Sequence, residues 1–185
     1  AMDGSAGWAD AGVIIPYELW KKYDDIEIVK KYMPGMRKYA AFMQKRCGRW
    51  YPTAKSTGLR GKEKRYLSNF GQAYGEWAEP DDVHHMTWKD CAQPHPEVAT
   101  AYTAYICTIM AEMEQALGNY EQAKEYLEFA DGCKHSYQAL CKKKDFSLDT
   151  DRQARLVRPL ALGLLSKDQA QFAKKRLIQA LNTYG

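Results

Sequence analysis

Apolar residues recur every three or four positions along most of this chain, in blocks separated by turn and capping residues. The first block, residues 10–23, is apolar nearly all round, which predicts a helix central to the fold, bent at Pro16. Asp24 and Glu27 have capping-box spacing and would open a second helix at Ile26. Its face runs Val29, Tyr32, Met33, Met36, Tyr39, Ala40, Met43 and Cys47, with a kink or break expected at Pro34-Gly35. A third helix begins with Pro96 in its first turn and is marked by Val98, Tyr102, Tyr105, Ile106, Ile109, Met113, Ala116 and Leu117. Gly118 ends it and Asn119 caps the next, which carries Tyr120, Ala123, Leu127 and Ala130, meets Gly132 as a candidate interruption and closes at Lys142–Lys144. The short joint makes this pair an antiparallel hairpin.

A further helix is expected after Asp149 or Asp151, kinked at Pro159, with Leu156, Val157, Leu160, Ala161, Leu164 and Leu165 buried. Ser166 and Gln169 form a second capping box, opening a last helix with Ala170, Ala173, Leu177, Ala180, Leu181 and Tyr184 on its face. The fold class read from this pattern is all-α, built of successive α-hairpins, with no convincing strand. Between residues 48 and 96 the period disappears, and Trp50, Tyr51, Tyr66, Phe70, Tyr74, Trp77 and Trp88 alternate with Gly, Pro and charges. A connection of that length inside a compact domain is usually functional, so this aromatic stretch is the first choice for a binding surface.

The 185 residues suit one domain, 45% hydrophobic, and no apolar run approaches membrane-spanning length. A net charge of +4, spread along the chain, argues against a dedicated nucleic-acid binder. Cys47, Cys91, Cys107, Cys133 and Cys141 show no CxxC spacing and read as free thiols of a reducing compartment, which implies a cytoplasmic location. No cofactor and no metal is expected. Asp81, Asp82, His84, His85 and His95 are metal-ligand types without helical or motif spacing, and read as a solvated loop. Residues 55–65 carry the glycines and lysines of a phosphate loop but not its spacing, and read as a mobile basic loop. Tyr102, Tyr105 and Met113, at helical spacing, read as core.

Trp8 and Asp10 stand two residues apart at the mouth of the first helix. An indole face with a carboxylate beside it suits a sugar, whose apolar face stacks while its hydroxyls bond the acid. A buried tryptophan next to an Asp N-cap gives the same pattern, and the residues alone leave both readings open. Carboxylates for acid–base chemistry exist in Asp10, Glu76, Glu79, Asp81 and Asp82, none singled out by spacing.

Gly7-Trp8-Ala9-Asp10-Ala11, followed by Val13-Ile14-Ile15-Pro16-Tyr17, Trp20 and Tyr23-Asp24-Asp25, resembles the catalytic domain of bacterial α-L-rhamnosidases. The resemblance extends through Tyr74-Gly75-Glu76-Trp77, Ala99-Thr100-Ala101-Tyr102, Leu117-Gly118-Asn119 and Leu160-Ala161-Leu162-Gly163-Leu164-Leu165. It implies part of an (α/α)6 barrel from an inverting glycosidase that removes terminal α-L-rhamnosyl groups. Such an enzyme uses a protonated acid and a carboxylate base roughly 6.5 to 9.5 Å apart. In the family the acid lies in an Asp-, Arg- and Glu-rich motif ahead of the Gly-Trp-Ala-Asp-like segment, and the base in a Trp-Glu segment beyond the last helix found here. The resemblance therefore assigns no catalytic residue to this chain, which is expected to be a single partial domain over 1–185, inactive alone.

What it does imply is a rhamnose-binding wall made of Trp8 and Trp77, with Asp10 and Glu76 beside them. Glu76 departs from the family pattern, where Asp is commoner. The unpaired faces of a partial barrel are expected to be apolar and to self-associate. A helical-repeat scaffold is the alternative, since Ala116-Leu117-Gly118-Asn119-Tyr120 with Tyr126 and Leu127 resembles a tetratricopeptide junction, although the unit does not recur.

Overall fold

The computed structural model describes residues 4–76, 79 and 85–184. Its main helices are α1 (Ala11–Tyr23), α2 (Ile26–Arg46), α5 (Pro96–Ala116), α6 (Tyr120–Leu140), α7 (Gln153–Ala161) and α8 (Lys167–Tyr184). Two short ones, α3 (Gly61–Arg65) and α4 (Trp88–Cys91), lie inside the long connection, and a 3-10 turn spans Lys144–Phe146. No strand occurs among the described residues; the expected place for one holds a single isolated bridge between Cys47 and Ser68. The helices pair as hairpins α1/α2, α5/α6 and α7/α8, the all-α hairpin array that the periodicity predicts.

α5, rather than α1, is the central helix. It packs on α1, α2, α6 and α7, and its alanines and threonines let neighbours approach from several sides. α1 buries only Val13 and Pro16 and leaves Ile15 more than half exposed, because Glu18, Lys21 and Lys22 keep its outer side in water. One core, with Val29, Met33, Met36, Ile106 and Met110, lies between α1, α2, α5 and α6. A second, with Cys133, Tyr137, Leu156, Leu164 and Ala173, lies between α5, α6, α7 and α8. The two share the α5/α6 hairpin as a common wall.

Several local expectations change. Asp25, not Asp24, caps α2, its carboxylate accepting from the Glu27 N–H at 3.0 Å. Asp24 instead closes α1 in the left-handed region at φ 55°, its N–H donating to the Trp20 carbonyl. α2 runs unbroken through Pro34 and Gly35, both on its exposed side, where water satisfies the carbonyl that loses its donor. Asn119 precedes α6 without a side-chain cap, because its amide donates to Glu114 at 2.8 Å instead. α7 stops at Ala161, so Leu164 and Leu165 reach the core from the α7–α8 link, while Val157 and Ala161 face solvent. The Ser166–Gln169 capping box forms as expected.

Gly132 does not interrupt α6. A Cβ there would sit 2.6 Å from the Tyr66 ring, so the glycine lets the long connection lie flat against the helix. Leu59 and Leu67 of the connection pack beside it on Ala139 and Leu140 of α6. The buried Ser68 N–H donates to the Thr100 hydroxyl of α5 at 3.0 Å. Residues 48–76 are thus docked on the α5/α6 hairpin, and part of the basic 55–65 loop is helical as α3.

The five cysteines are free thiols, with Cys91, Cys107 and Cys133 buried. Burial pushes the Cys107 and Cys141 thiols up to about 12 and holds Cys133 well above its ordinary value, the last also touching Cys47.

Candidate functional site

Asp10 is fully buried at the entrance of α1, but its side chain does not cap the helix. One carboxylate oxygen accepts the Gly7 N–H and the other accepts the Tyr39 hydroxyl of α2 at 2.8 Å. The carboxylate thereby closes the 5–10 turn, in which the Trp8 and Ala9 N–H groups donate to the Ser5 carbonyl at 3.2 and 2.9 Å. Gly7 sits at φ 82°, and a Cβ there would press on the Tyr102 ring at 3.3 Å. Burial raises the Asp10 carboxyl above its ordinary value, against the pull of its two hydrogen bonds.

The turn holds Trp8 outward, with 56% of its surface exposed. Its indole meets the Tyr74 ring at 5.3 Å and 58°. Tyr102 and Tyr105 are half-buried and Met113 fully buried, the core role read from their spacing.

The N-cap of α7 and the helix itself present Arg152, Arg155 and Arg158 three residues apart, each opposite a carboxylate. Arg152 donates to Glu79 at 2.7 Å. Arg155 approaches Glu97 at 3.9 Å, and Arg158 touches Glu76 with both side chains about nine-tenths buried. Burial pulls the Arg158 guanidinium down to about 10, which leaves it charged at neutral pH. Burial also works against ionising Glu97, yet His95 and Arg155 outweigh it and hold the carboxyl below its ordinary range. The His95 ring donates from Nε2 to the Asp90 carbonyl at 2.8 Å and faces Glu97 through Nδ1 at 3.8 Å. Glu97, His95, Arg152 and Arg155 line a cavity of about 340 Å³ with Lys55 and Asp145.

The three described residues of the expected sugar wall have different surroundings. Trp8 is presented to solvent. Asp10 spends one oxygen on the turn beneath Trp8 and the other on Tyr39 of α2, and Glu76 is held by Arg158. Trp77 lies outside the described residues, as do Asp81, Asp82 and His84 of the acidic and histidine-containing stretch. Among the described residues no group of three His, Cys, Asp or Glu side chains is placed to hold a metal ion. The arginine stripe escaped sequence reading because its partners lie far away in the chain, 73 residues in the case of Glu79 and Arg152. Its one visible sign was the three-residue spacing of Arg152, Arg155 and Arg158.

Residues 1–185 match the family described as the bacterial alpha-L-rhamnosidase 6 hairpin glycosidase domain. The chain belongs to this family. It is 24% identical over 176 residues to the alpha-L-rhamnosidase of Streptomyces avermitilis, covering 95% of this chain and 14% of that protein. With the alpha-L-rhamnosidase of Formosa agariphila it shares 22% identity over 179 residues, covering 96% of this chain and 17% of that protein. The chain thus spans about one-sixth of the length of these curated relatives.

Two solved structures agree on the fold. The Streptomyces avermitilis alpha-L-rhamnosidase complexed with L-rhamnose superposes with a TM-score of 0.69 at 23% identity, covering 97% of this chain and 15% of that one. The native enzyme from Aspergillus terreus gives 0.65 at 20% identity, covering 97% and 19%. The α1/α2, α5/α6 and α7/α8 pairs are accordingly hairpins of a six-hairpin glycosidase architecture. The α5–α6 joint belongs to that architecture and not to a tetratricopeptide array. Among the described residues, no helix is long and apolar enough to cross a membrane.

Proposed function

We propose that this chain is a partial (α/α)6-barrel domain of a glycoside hydrolase that removes terminal α-L-rhamnosyl groups with inversion, and that it supplies part of the sugar-binding wall. The observation that carries the reading is the Trp8 indole, 56% exposed on a turn locked from below by a buried carboxylate. A large exposed ring on a rigid base contributes little to folding and suits stacking on a pyranose. Asp10 and Glu76 act as positioning residues, the first through the Gly7-Trp8 turn and the second through Arg158. Trp77 is the second stacking residue by family resemblance. The acid and base of hydrolysis come from chain outside residues 1–185, a reading supported by the arginine facing each of Glu76, Glu79 and Glu97. An arginine occupies the carboxylate oxygens that acid–base work would have to turn toward a substrate.

Saturation-transfer NMR with L-rhamnose tests the wall directly. The chain is expected to transfer saturation to the sugar, and a folded Trp8→Ala variant to lose it. Silence from the folded wild-type chain would reduce the relationship to fold and ancestry.

The five free thiols support a cytoplasmic setting. Self-association is the second part of the reading. Phe172, Ile178, Leu181 and Tyr184 of α8 each leave 43% or more of their surface in water. Apolar side chains gathered on one helix favour a partner surface. Sedimentation velocity over a hundredfold range of concentration should show the mean mass rising, and a constant monomer mass would remove this part.

A further inference from the structure

Residues 49–65 carry six lysines and arginines against one glutamate, a net of +5 where the whole chain has +4. The positive charge is therefore gathered in one segment and not spread along the chain. Folding shapes that segment into an open groove of about 520 Å³. Its two ends are tied at the exit of α2, where the Gly48 N–H donates to the Leu67 carbonyl at 2.9 Å and Cys47 bridges Ser68. Gly48 sits at φ 73°, and a Cβ there would press on the Arg65 carbonyl at 2.9 Å. Leu59 anchors the middle of the segment on α6, and the Asn69 amide donates to the Lys55 carbonyl at 3.0 Å. The basic stretch is thus held in shape before any ligand arrives.

Arg49, Lys55, Arg60 and Lys64 line the groove. Lys143, at the exit of α6, brings its ammonium within 3.9 Å of where a Gly58 Cβ would lie. None of these five cations is ion-paired among the described residues. Like charges gathered in one groove repel one another, a cost that a polyanion offsets. Trp50 adds an indole that is 74% exposed and gains little from folding. Tyr51 beside it turns inward onto Phe70 at 4.9 Å and 66°, and the Arg49 guanidinium lies over the same ring at 5.3 Å. A single strand of nucleic acid stacks successive bases on several rings. One exposed indole among cations suits instead a charged pyranose, its ring on the indole and its carboxylate on an arginine fork.

We propose that this groove binds an anionic glycan, a chain of carboxylated pyranoses with one ring stacked on Trp50 and its carboxylates met by Arg49, Arg60 and Lys64. Neither Trp8 nor Tyr74 lines the groove, so the proposal stands apart from the rhamnosyl reading.

Calorimetric titration of α-1,4-linked tetragalacturonate into the wild-type chain tests it without rhamnose. Binding is expected at low salt and should weaken about tenfold when the ionic strength rises from about 0.02 to about 0.2 M. Maltotetraose, α-1,4-linked but without carboxylates, should bind at least about tenfold more weakly. Trp50→Ala is expected to weaken the uronate about fivefold. Replacing Arg60 and Lys64 together by alanine should cost about tenfold and flatten the salt dependence. Trp88→Ala, which removes a similarly exposed indole from outside the groove, should change nothing. Maltotetraose binding as tightly as the uronate would overturn the proposal, because the cations would then have no part in it. Uronate affinity unchanged in the folded Trp50→Ala variant would reduce the groove to diffuse charge attraction and overturn it as a site. Tighter, Trp50-dependent binding of an octauridylate would make it a nucleic-acid groove and overturn the glycan. No binding of the uronate by the folded chain would also overturn it, and Trp8 is untouched by any of these results.

Discussion

Replacing Arg158 with alanine is expected to cost about 4 kcal/mol of stability, because it leaves a carboxylate in a largely dry site without its counter-charge. Glu76 and Arg158 are each only 11% exposed at the side chain, so water cannot take the arginine's place cheaply. The loss should appear in urea denaturation as a lower midpoint with an unchanged slope. A double variant, Arg158→Met with Glu76→Leu, separates charge from packing. If the unpaired ion is the cause, the double variant should recover most of the stability, since a buried pair replaced by apolar groups of similar volume is often neutral. If it stays as unstable as Arg158→Ala, shape at the α7 surface is the cause and the pairing is incidental. The folded remainder of the single variant should also bind L-rhamnose more weakly, because Glu76 anchors the connection that carries the aromatic wall.

Glu114→Ala should cost about 3 kcal/mol at neutral pH, the scale of breaking a buried, hydrogen-bonded ion pair. Glu114 is fully buried near the end of α5, where the Arg37 guanidinium donates to its two oxygens at 2.6 and 2.7 Å. Asn119 adds a third bond from the α5–α6 joint. Three bonds to an ionised acceptor stabilise more than neutral ones, and the truncation also leaves a cavity. Burial opposes ionisation of this carboxyl, but the bonds from Arg37 and Asn119 hold it below its ordinary value. The pH dependence follows from that sign. A carboxyl with a lowered folded-state pKa contributes its full stabilisation above the value of the unfolded chain and loses it as pH falls through the folded value. The gap between wild type and Glu114→Ala, measured by thermal unfolding, should therefore narrow on acidification below the ordinary carboxylate range. A gap that stays constant down to strongly acidic pH would mean that the cavity and not the charge accounts for the loss.

Helix positions were legible because burial imposes a period that short-range sequence records. α2, α5, α6 and α8 lie close to where their apolar residues place them, and the aperiodic 48–96 stretch is the long connection. What sequence could not convey was which helix would be surrounded. α1 and α5 are both rich in apolar residues, but the small side chains of α5 admit neighbours on several sides while α1 keeps one wet face. Single punctuation residues also misled locally. Pro34 and Gly132 were readable as breaks, and tertiary packing carries both helices through them, the first because its lost bond faces water and the second because a tyrosine occupies the missing Cβ space. The same limit applies at the site. Trp8 and Asp10 were visible as a pair, but only coordinates show Tyr39 reaching across from α2 to take the second oxygen. The arginine stripe and the Trp8–Tyr74 contact depend wholly on contacts between distant segments.

The buried thiols give the molecule a clock for its own opening. Cys107 and Cys133 lie in the walls shared by the two cores, and burial keeps both largely protonated. Only the thiolate attacks an alkylating reagent, so neither can react until the α5/α6 hairpin parts from its neighbours. Half-buried Cys47 and Cys141 sit nearer the surface and answer to smaller movements. The order in which the five cysteines take up a slow alkylating label would thus rank the hairpin contacts by how often they come apart, with no probe added to the chain.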